Sequence, residues 1–148
     1  MKAVLQRVTR AEVRVDGAPV GAVARGLLVL VGVAHGDTAN DADALAEKIA
    51  TLRIFEDGAG KMNLAVTDVA GGVLAVSQFT LLADTSRGRR PSFTGAMPPQ
   101  EAEALFERFC GSVRALGLRV ETGRFGASMQ VELVNDGPVT ILLDTQRS

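Results

Sequence analysis

The chain has 148 residues, 47% of them hydrophobic and 22% charged, with a formal net charge of −1. That length supports one domain with a real core, burying roughly 70% of the unfolded surface, and the balanced charge excludes a polycationic nucleic-acid binder, so a polyanion must be met by a local basic cluster. Tyr and Trp are absent, Phe supplies all 6 aromatics, and the 1 Cys excludes an internal disulfide and suits a reducing compartment.

The opening MKAVLQRVTR carries Lys2, Arg7 and Arg10 and lacks the apolar core of a signal peptide. Alternation through Val4, Gln6 and Val8, then Val13 and Val15, predicts one or two strands over 2–15, with a turn at Asp16-Gly17. Leu27 to Val33 is continuously apolar, as in a strand buried on both faces, and Gly32 within it suggests a bend or a close approach. The run from Leu27 to Ala34 is the longest apolar one and far too short to span a bilayer. The expected location is therefore the cytoplasm, with no membrane contact.

Residues 40–53 place Leu45, Ile49 and Leu52 at helical spacing, acids early and bases late, which suits the helix dipole. Asp57 to Gly60 reads as a loop, and Gly72 to Leu82 as a strand whose apolar character is interrupted at Ser77, Gln78 and Thr80. A long basic loop over 83–97 precedes a second helix, opened by Pro98-Pro99 and ended by Gly117, with Leu105, Phe109, Val113 and Leu116 on one face. Strands are predicted at 118–122, 127–134 and 138–144. Between the last two, Asn135-Asp136-Gly137-Pro138 reads locally as a hairpin turn, since proline cannot donate to a ladder. No linker or repeat divides the chain, so 1–148 is taken as one α+β domain: mainly antiparallel, barrel-like sheets with two packed helices, too few for a doubly wound fold.

Chemistry is sparse. One His and one Cys offer no metal-ligand spacing, and no phosphate-binding glycine fingerprint is present, so neither metal nor cofactor is expected. His35 reads as an exposed turn residue and Cys110 as core. Asp84, Asp136 and Asp144 lie at strand ends, where carboxylates are usually solvated. What remains is Ser77-Gln78-Phe79-Thr80 and Asn135–Thr140, two polar insertions in apolar surroundings. Ser77 or Thr80 is a candidate nucleophile without a histidine nearby in sequence, and outward-facing strand residues are the bland alternative.

SQFT at 77–80 and NDGPVT at 135–140 resemble the paired signatures of the D-aminoacyl-tRNA deacylases. The likeness extends through MKAVLQRVTRAEV at the start, GLLVLVGV at 26–33, KIATLRIFED at 48–57, KMN at 61–63, GRRPSF at 88–93 and GRFGASMQVELVNDGPVT at 123–140.

The resemblance implies a homodimeric hydrolase that cleaves the ester joining a D-amino acid to the terminal ribose of tRNA, and also removes glycine mischarged on tRNA(Ala). It implies a site at the subunit interface, with Gly137-Pro138 as a cis pair reaching into the partner's pocket and Arg7 holding that loop. Cis X-Pro bonds are about 5–6% of such bonds and can aim two successive carbonyls one way. A carbonyl wall of this kind accepts the substrate amino group and leaves no room for an L side chain. The SQFT segment (Ser77, Gln78, Phe79, Thr80) becomes the catalytic segment, its backbone amides stabilising the oxyanion while the substrate's ribose hydroxyl assists, without metal. Thr80 then shapes the site without having to be a nucleophile. Asn135 joins the substrate-binding set, and Phe79, Phe125 and Met129 are candidates for the adenosine pocket, the last two equally able to be core. Arg87, Arg89 and Arg90, with Lys61, are candidate tRNA phosphate contacts. Two alternatives stay open: a non-catalytic tRNA-binding module of the same fold, and a hydrolase of small D-amino-acid esters.

Overall fold

The computed structural model describes residues 1–146. In chain order the elements are β1 (Lys2–Val15), β2 (Ala18–Val23), β3 (Gly26–Gly32), α1 (Ala39–Thr51), β4 (Phe55–Glu56) and β5 (Met62–Leu64). Then come β6 (Gly72–Ser77), a 3-10 turn (Phe79–Leu82), α2 (Pro99–Ala115), β7 (Val120–Thr122) and β8 (Gln130–Asp144).

β1 is the hub. Along one edge it pairs antiparallel with β3 through Lys2–Val8 and with β2 through Ala11–Val15; along the other it pairs with β8. β6 then joins β3, and β7 joins β6, both in parallel. The sheet is thus mixed, because α1 and α2 serve as the crossovers that parallel neighbours require. β2 returns against β7, so the sheet curls into a nearly closed barrel and leaves β8 outside the closure.

Strand periodicity sorts the core into two clusters. Leu27, Val29 and Val31 of β3, with Val73 and Ala75 of β6, face the helices. Their neighbours Leu28, Leu74 and Val76 point the other way and meet Val8, Val13 and Val23 inside the barrel. α1 buries Leu45 and Ile49 with Ala42, Ala46 and Ala50, and starts where the Thr38 N–H donates to Asp41 Oδ2 at 2.8 Å, half of a capping box. α2 buries Phe106, Phe109, Cys110 and Val113, whereas Leu116, expected on that face, is 43% exposed at the helix end. Burial pushes the Cys110 thiol up to about 11, as befits core. No helix among the described residues is long and apolar enough to cross a membrane.

Asp57–Gly60 is the loop expected, and it joins the short antiparallel strands β4 and β5. Two local expectations are corrected. The strand over 72–82 stops at Ser77, and the chain turns into the 3-10 segment. Asn135–Pro138 makes no hairpin: both flanks pair with β1 in one antiparallel direction, with Val8 opposite Asn135 and Gln6 opposite Thr140. The extra residues bulge out of a single strand, because β1 continues past them and offers the second flank the same partner.

Candidate active site

The SQFT segment sits where β3 and β6 end together. Ser77 is opposite Val31, and the Gln78 N–H donates to the Val31 carbonyl at 2.7 Å. Leu81 N–H donates back to Gln78 O at 3.2 Å and Ala83 N–H to Thr80 O at 3.1 Å, closing the turn. Gly32 lets the turn lie this close to the sheet: a Cβ there would meet Leu82 Cδ2 at 2.6 Å and Leu81 Cβ at 2.9 Å. The first N–H groups of such a turn have no partner inside it, so Phe79 and Thr80 present backbone donors. Thr80 Oγ1 accepts from Gln78 Nε2 at 3.0 Å, a contact that orients the hydroxyl without deprotonating it.

Phe79 is 58% exposed, and the half-buried Phe93 meets it edge to face, centroids 5.1 Å apart at 70°. Between the turn and Phe93 runs the basic loop, closed at its base by Asp84 N–H to Ser92 O at 2.7 Å and Ser92 N–H to Asp84 O at 2.9 Å. Asp84 supports the loop internally: the Ser86 hydroxyl, then its N–H, hold the carboxyl below its ordinary value. Arg87, Arg89 and Arg90 are exposed, and among the described residues none has an ion-pair partner. Lys61 is exposed at the tip of the β4–β5 hairpin.

Phe125 and Met129 belong to different apolar clusters. Phe125 tilts onto Phe106 of α2 with centroids 6.4 Å apart, and Met129 packs on the barrel interior. Thr122 nevertheless lies opposite Ala75, and Gly123 N–H donates to Ala75 O at 3.4 Å, so their loop leaves the sheet at the same end as Ser77. On the other side of the turn a cavity of about 660 Å³ opens between α1 and β8, bounded by Leu81, Leu142, Leu143, Lys2 and Lys48.

The second motif is anchored elsewhere. Asn135 spans its own bulge: Val139 N–H donates to Asn135 Oδ1 at 2.8 Å and Asn135 Nδ2 donates to Val139 O at 3.1 Å. Arg7, 5% exposed, donates from Nε to Asp136 O at 2.8 Å and from a terminal nitrogen to Ile54 O at 2.7 Å. Its charge faces Asp136 Oδ2 at 3.6 Å and Glu56 at 4.0 Å. Inside this frame the Gly137–Pro138 peptide is cis, and Gly137 has φ +153°, a conformation that L side chains rarely adopt. Gly137 and Pro138 are both exposed. The strand register keeps the two motifs apart within one chain. Ser77 is level with Val31, Ala3 and Leu143; the bulge is level with Arg7. From Ala3 to Arg7 is about 14 Å along a strand, and three strand spacings add about 14 Å sideways.

Among the described residues no group of three His, Cys, Asp or Glu is placed to hold a metal ion. His35 is an exposed turn residue whose N–H donates to Gly95 O at 2.9 Å. Phe93 lies within GRRPSF, but its contact with Phe79, 14 residues away, leaves no local signal in the sequence. The sequence reading missed the carbonyl of Ile54, since backbone acceptors leave no mark in a sequence.

The sequence profile described as D-Tyr-tRNA(Tyr) deacylase matches residues 4–144. A D-aminoacyl-tRNA deacylase of Anaeromyxobacter dehalogenans (strain 2CP-C) is 69% identical over 147 residues, covering 99% of each chain. Among solved structures, a c-Myc DNA Unwinding Element Binding Protein superposes with TM-score 0.92 at 44% identity, over 97% of this chain and 98% of that one. A probable eukaryotic D-amino acid tRNA deacylase superposes with TM-score 0.84 at 18% identity, over 96% and 97%, a likeness of fold alone. With the profile spanning nearly the whole chain and the relatives matching end to end, the chain belongs to the D-Tyr-tRNA(Tyr) deacylase family and is a hydrolase of that family.

Proposed function

We propose that the chain hydrolyses D-aminoacyl-tRNA, and glycyl-tRNA mischarged on tRNA(Ala), as a cytoplasmic homodimer whose sites are shared between subunits. The observation that carries this reading is the register. The turn that offers backbone donors and the bulge that offers backbone carbonyls lie four residues apart along β1 and three strands apart across the sheet, so we read one pocket containing both as shared between two copies. The outer edge of β8 supports a second copy: among the described residues β8 pairs with β1 alone, and Val131, Val134 and Leu142 on it are 37%, 41% and 75% exposed. A long unpaired edge carrying apolar side chains is a template for association.

In this reading the Phe79 and Thr80 amides receive the developing oxyanion. Donors fixed before the reaction cost no reorganisation during it. The ribose hydroxyl beside the scissile ester assists the attacking water, so the step needs no metal and no side-chain base. Thr80, with its oxygen accepting from Gln78, shapes this corner. The partner's Gly137-Pro138 carbonyls accept the α-ammonium and stand where an L side chain would project. Arg7 and Asn135 serve substrate binding by holding that bulge in place. Phe79, Phe125 and Met129 border the space for the terminal adenosine, and Arg87, Arg89 and Arg90 meet backbone phosphates.

The test is hydrolysis of D-tyrosyl-tRNA against L-tyrosyl-tRNA with chelator present and spontaneous decay subtracted. Rapid loss of the D ester alone is expected. Loss of both esters would sink the backbone filter while leaving an esterase. Loss of neither, from a folded dimer, would favour a tRNA-binding module.

A further inference from the structure

We infer that Phe93 is a positioning residue: it holds the Phe79 ring in one orientation toward the unpaired 3′-terminal nucleotide of the substrate. The inference rests on the reading above that Phe79 borders the nucleotide's space, and it adds a residue with no assigned part in it. Phe79 stands 58% exposed at the start of a one-turn helix. An exposed ring samples several rotamers, and a base that stacks on it must first select one. Phe93 removes that freedom. Its ring meets Phe79 edge to face at 5.1 Å and 70°, the geometry favoured by ring quadrupoles, and Phe93 itself is half-buried.

Phe93 is in turn placed by the basic loop. It directly follows Ser92, whose two backbone hydrogen bonds with Asp84 close the loop carrying Arg87, Arg89 and Arg90. Ala96 N–H then donates to Phe93 O at 3.0 Å, so the residue is fixed on its C-terminal side as well. Ring and arginines therefore share one base. The nucleotide face presented by Phe79 and the phosphate face presented by the loop keep a constant offset, which suits a single-stranded end with bases on one side and phosphates on the other.

The experiment is a double-mutant cycle on the dimeric full chain with D-tyrosyl-tRNA: Phe79→Leu, Phe93→Leu and the pair, with KM and kcat measured separately. Phe93→Leu is expected to raise KM about tenfold with a smaller change in kcat, the signature of a lost preorganised contact. In the Phe79→Leu background the same change is expected to have little further effect on KM, because its target is gone. Phe93→Tyr, which keeps an edge-to-face ring, is expected to stay near wild type. Should Phe93→Leu not fold, Phe93→Met takes its place in the cycle. Additive effects of the two substitutions, or a fall in kcat at unchanged KM, would overturn the inference. A wild-type dimer that leaves D-tyrosyl-tRNA intact would overturn the functional reading instead.

Discussion

Ser77–Thr80 and Asn135–Thr140 have the same pattern in sequence, a polar break in an apolar run, and the fold resolves them in opposite ways. At the first the strand ends and the backbone coils into a 3-10 turn seated over Gly32. At the second the strand swells, keeps its partner and continues. The difference lies in the neighbours. β3 stops at Gly32, so beyond Ser77 there is no ladder left to follow. β1 still has Lys2–Gln6 to offer beyond the bulge, so the chain after Pro138 finds the same strand waiting. A polar break is therefore a strand end or a bulge according to what the adjacent strand still offers. In the functional reading, the ended strand yields free N–H donors and the bulged one yields carbonyls.

The sharpest way to break this contrast is at the bulge. Gly137→Val puts a β-branched side chain at φ +153°, where even a Cβ would meet Val139 N and Cγ2 at 2.7 Å. Deacylation of D-tyrosyl-tRNA is expected to fall about 100-fold in kcat/KM, the equivalent of about 2.7 kcal/mol of barrier. Arg7→Ala removes both tethers and strands the Ile54 carbonyl. Thermal unfolding is expected to report a loss of about 2–4 kcal/mol, and L-tyrosyl-tRNA is expected to become a better substrate as the bulge loosens. At the turn, Gly32→Ala pushes against Leu81 and Leu82 and is expected to cost about 1–3 kcal/mol in denaturant unfolding. Thr80→Ala leaves the backbone donors in place and is expected to keep activity within about tenfold; complete loss with tRNA binding intact would restore the nucleophile.

The smallest effect lies outside both motifs and serves as a control. Asp43 accepts two hydrogen bonds from Arg108 and one from Ser112, which tie α1 to α2 and lower its pKa to about 2. The link is at full strength above the ordinary carboxylate value of 3.8 and is lost as pH falls through about 2. Arg108→Ala is expected to flatten the acid limb of the stability profile while leaving deacylation at neutral pH unchanged.

Much of this architecture is legible in the sequence where periodicity is strong. Leu45 and Ile49 mark one helix, Phe109 and Val113 the other, and the unbroken run from Leu27 marks a strand buried on both faces. Gly32 read as a close approach is one. The misreadings share a cause: whether residues 78–82 coil or Asn135–Pro138 bulges depends on how far β3 and β1 run beside them, which no local window contains. The site is legible mainly through the likeness of SQFT and NDGPVT to a family. Titratable side chains leave a mark in a sequence, whereas the groups the proposed site would use are backbone N–H groups and carbonyls, which nearly every residue carries. Arg7 is the exception, a buried charge whose partners are backbone oxygens 47 and 129 residues away.

The shared site is tested most directly by complementation between two damaged dimers. Gly137→Val spoils the bulge and keeps the turn; Gly32→Val spoils the turn and keeps the bulge. If each pocket combines the turn of one chain with the bulge of the other, mixed dimers contain one intact pocket in two. Equal amounts unfolded and refolded together are then predicted to recover about a quarter of wild-type D-tyrosyl-tRNA hydrolysis. If each pocket is built from one chain alone, every pocket in the mixture is damaged, and activity no higher than that of the separate variants would contradict the account.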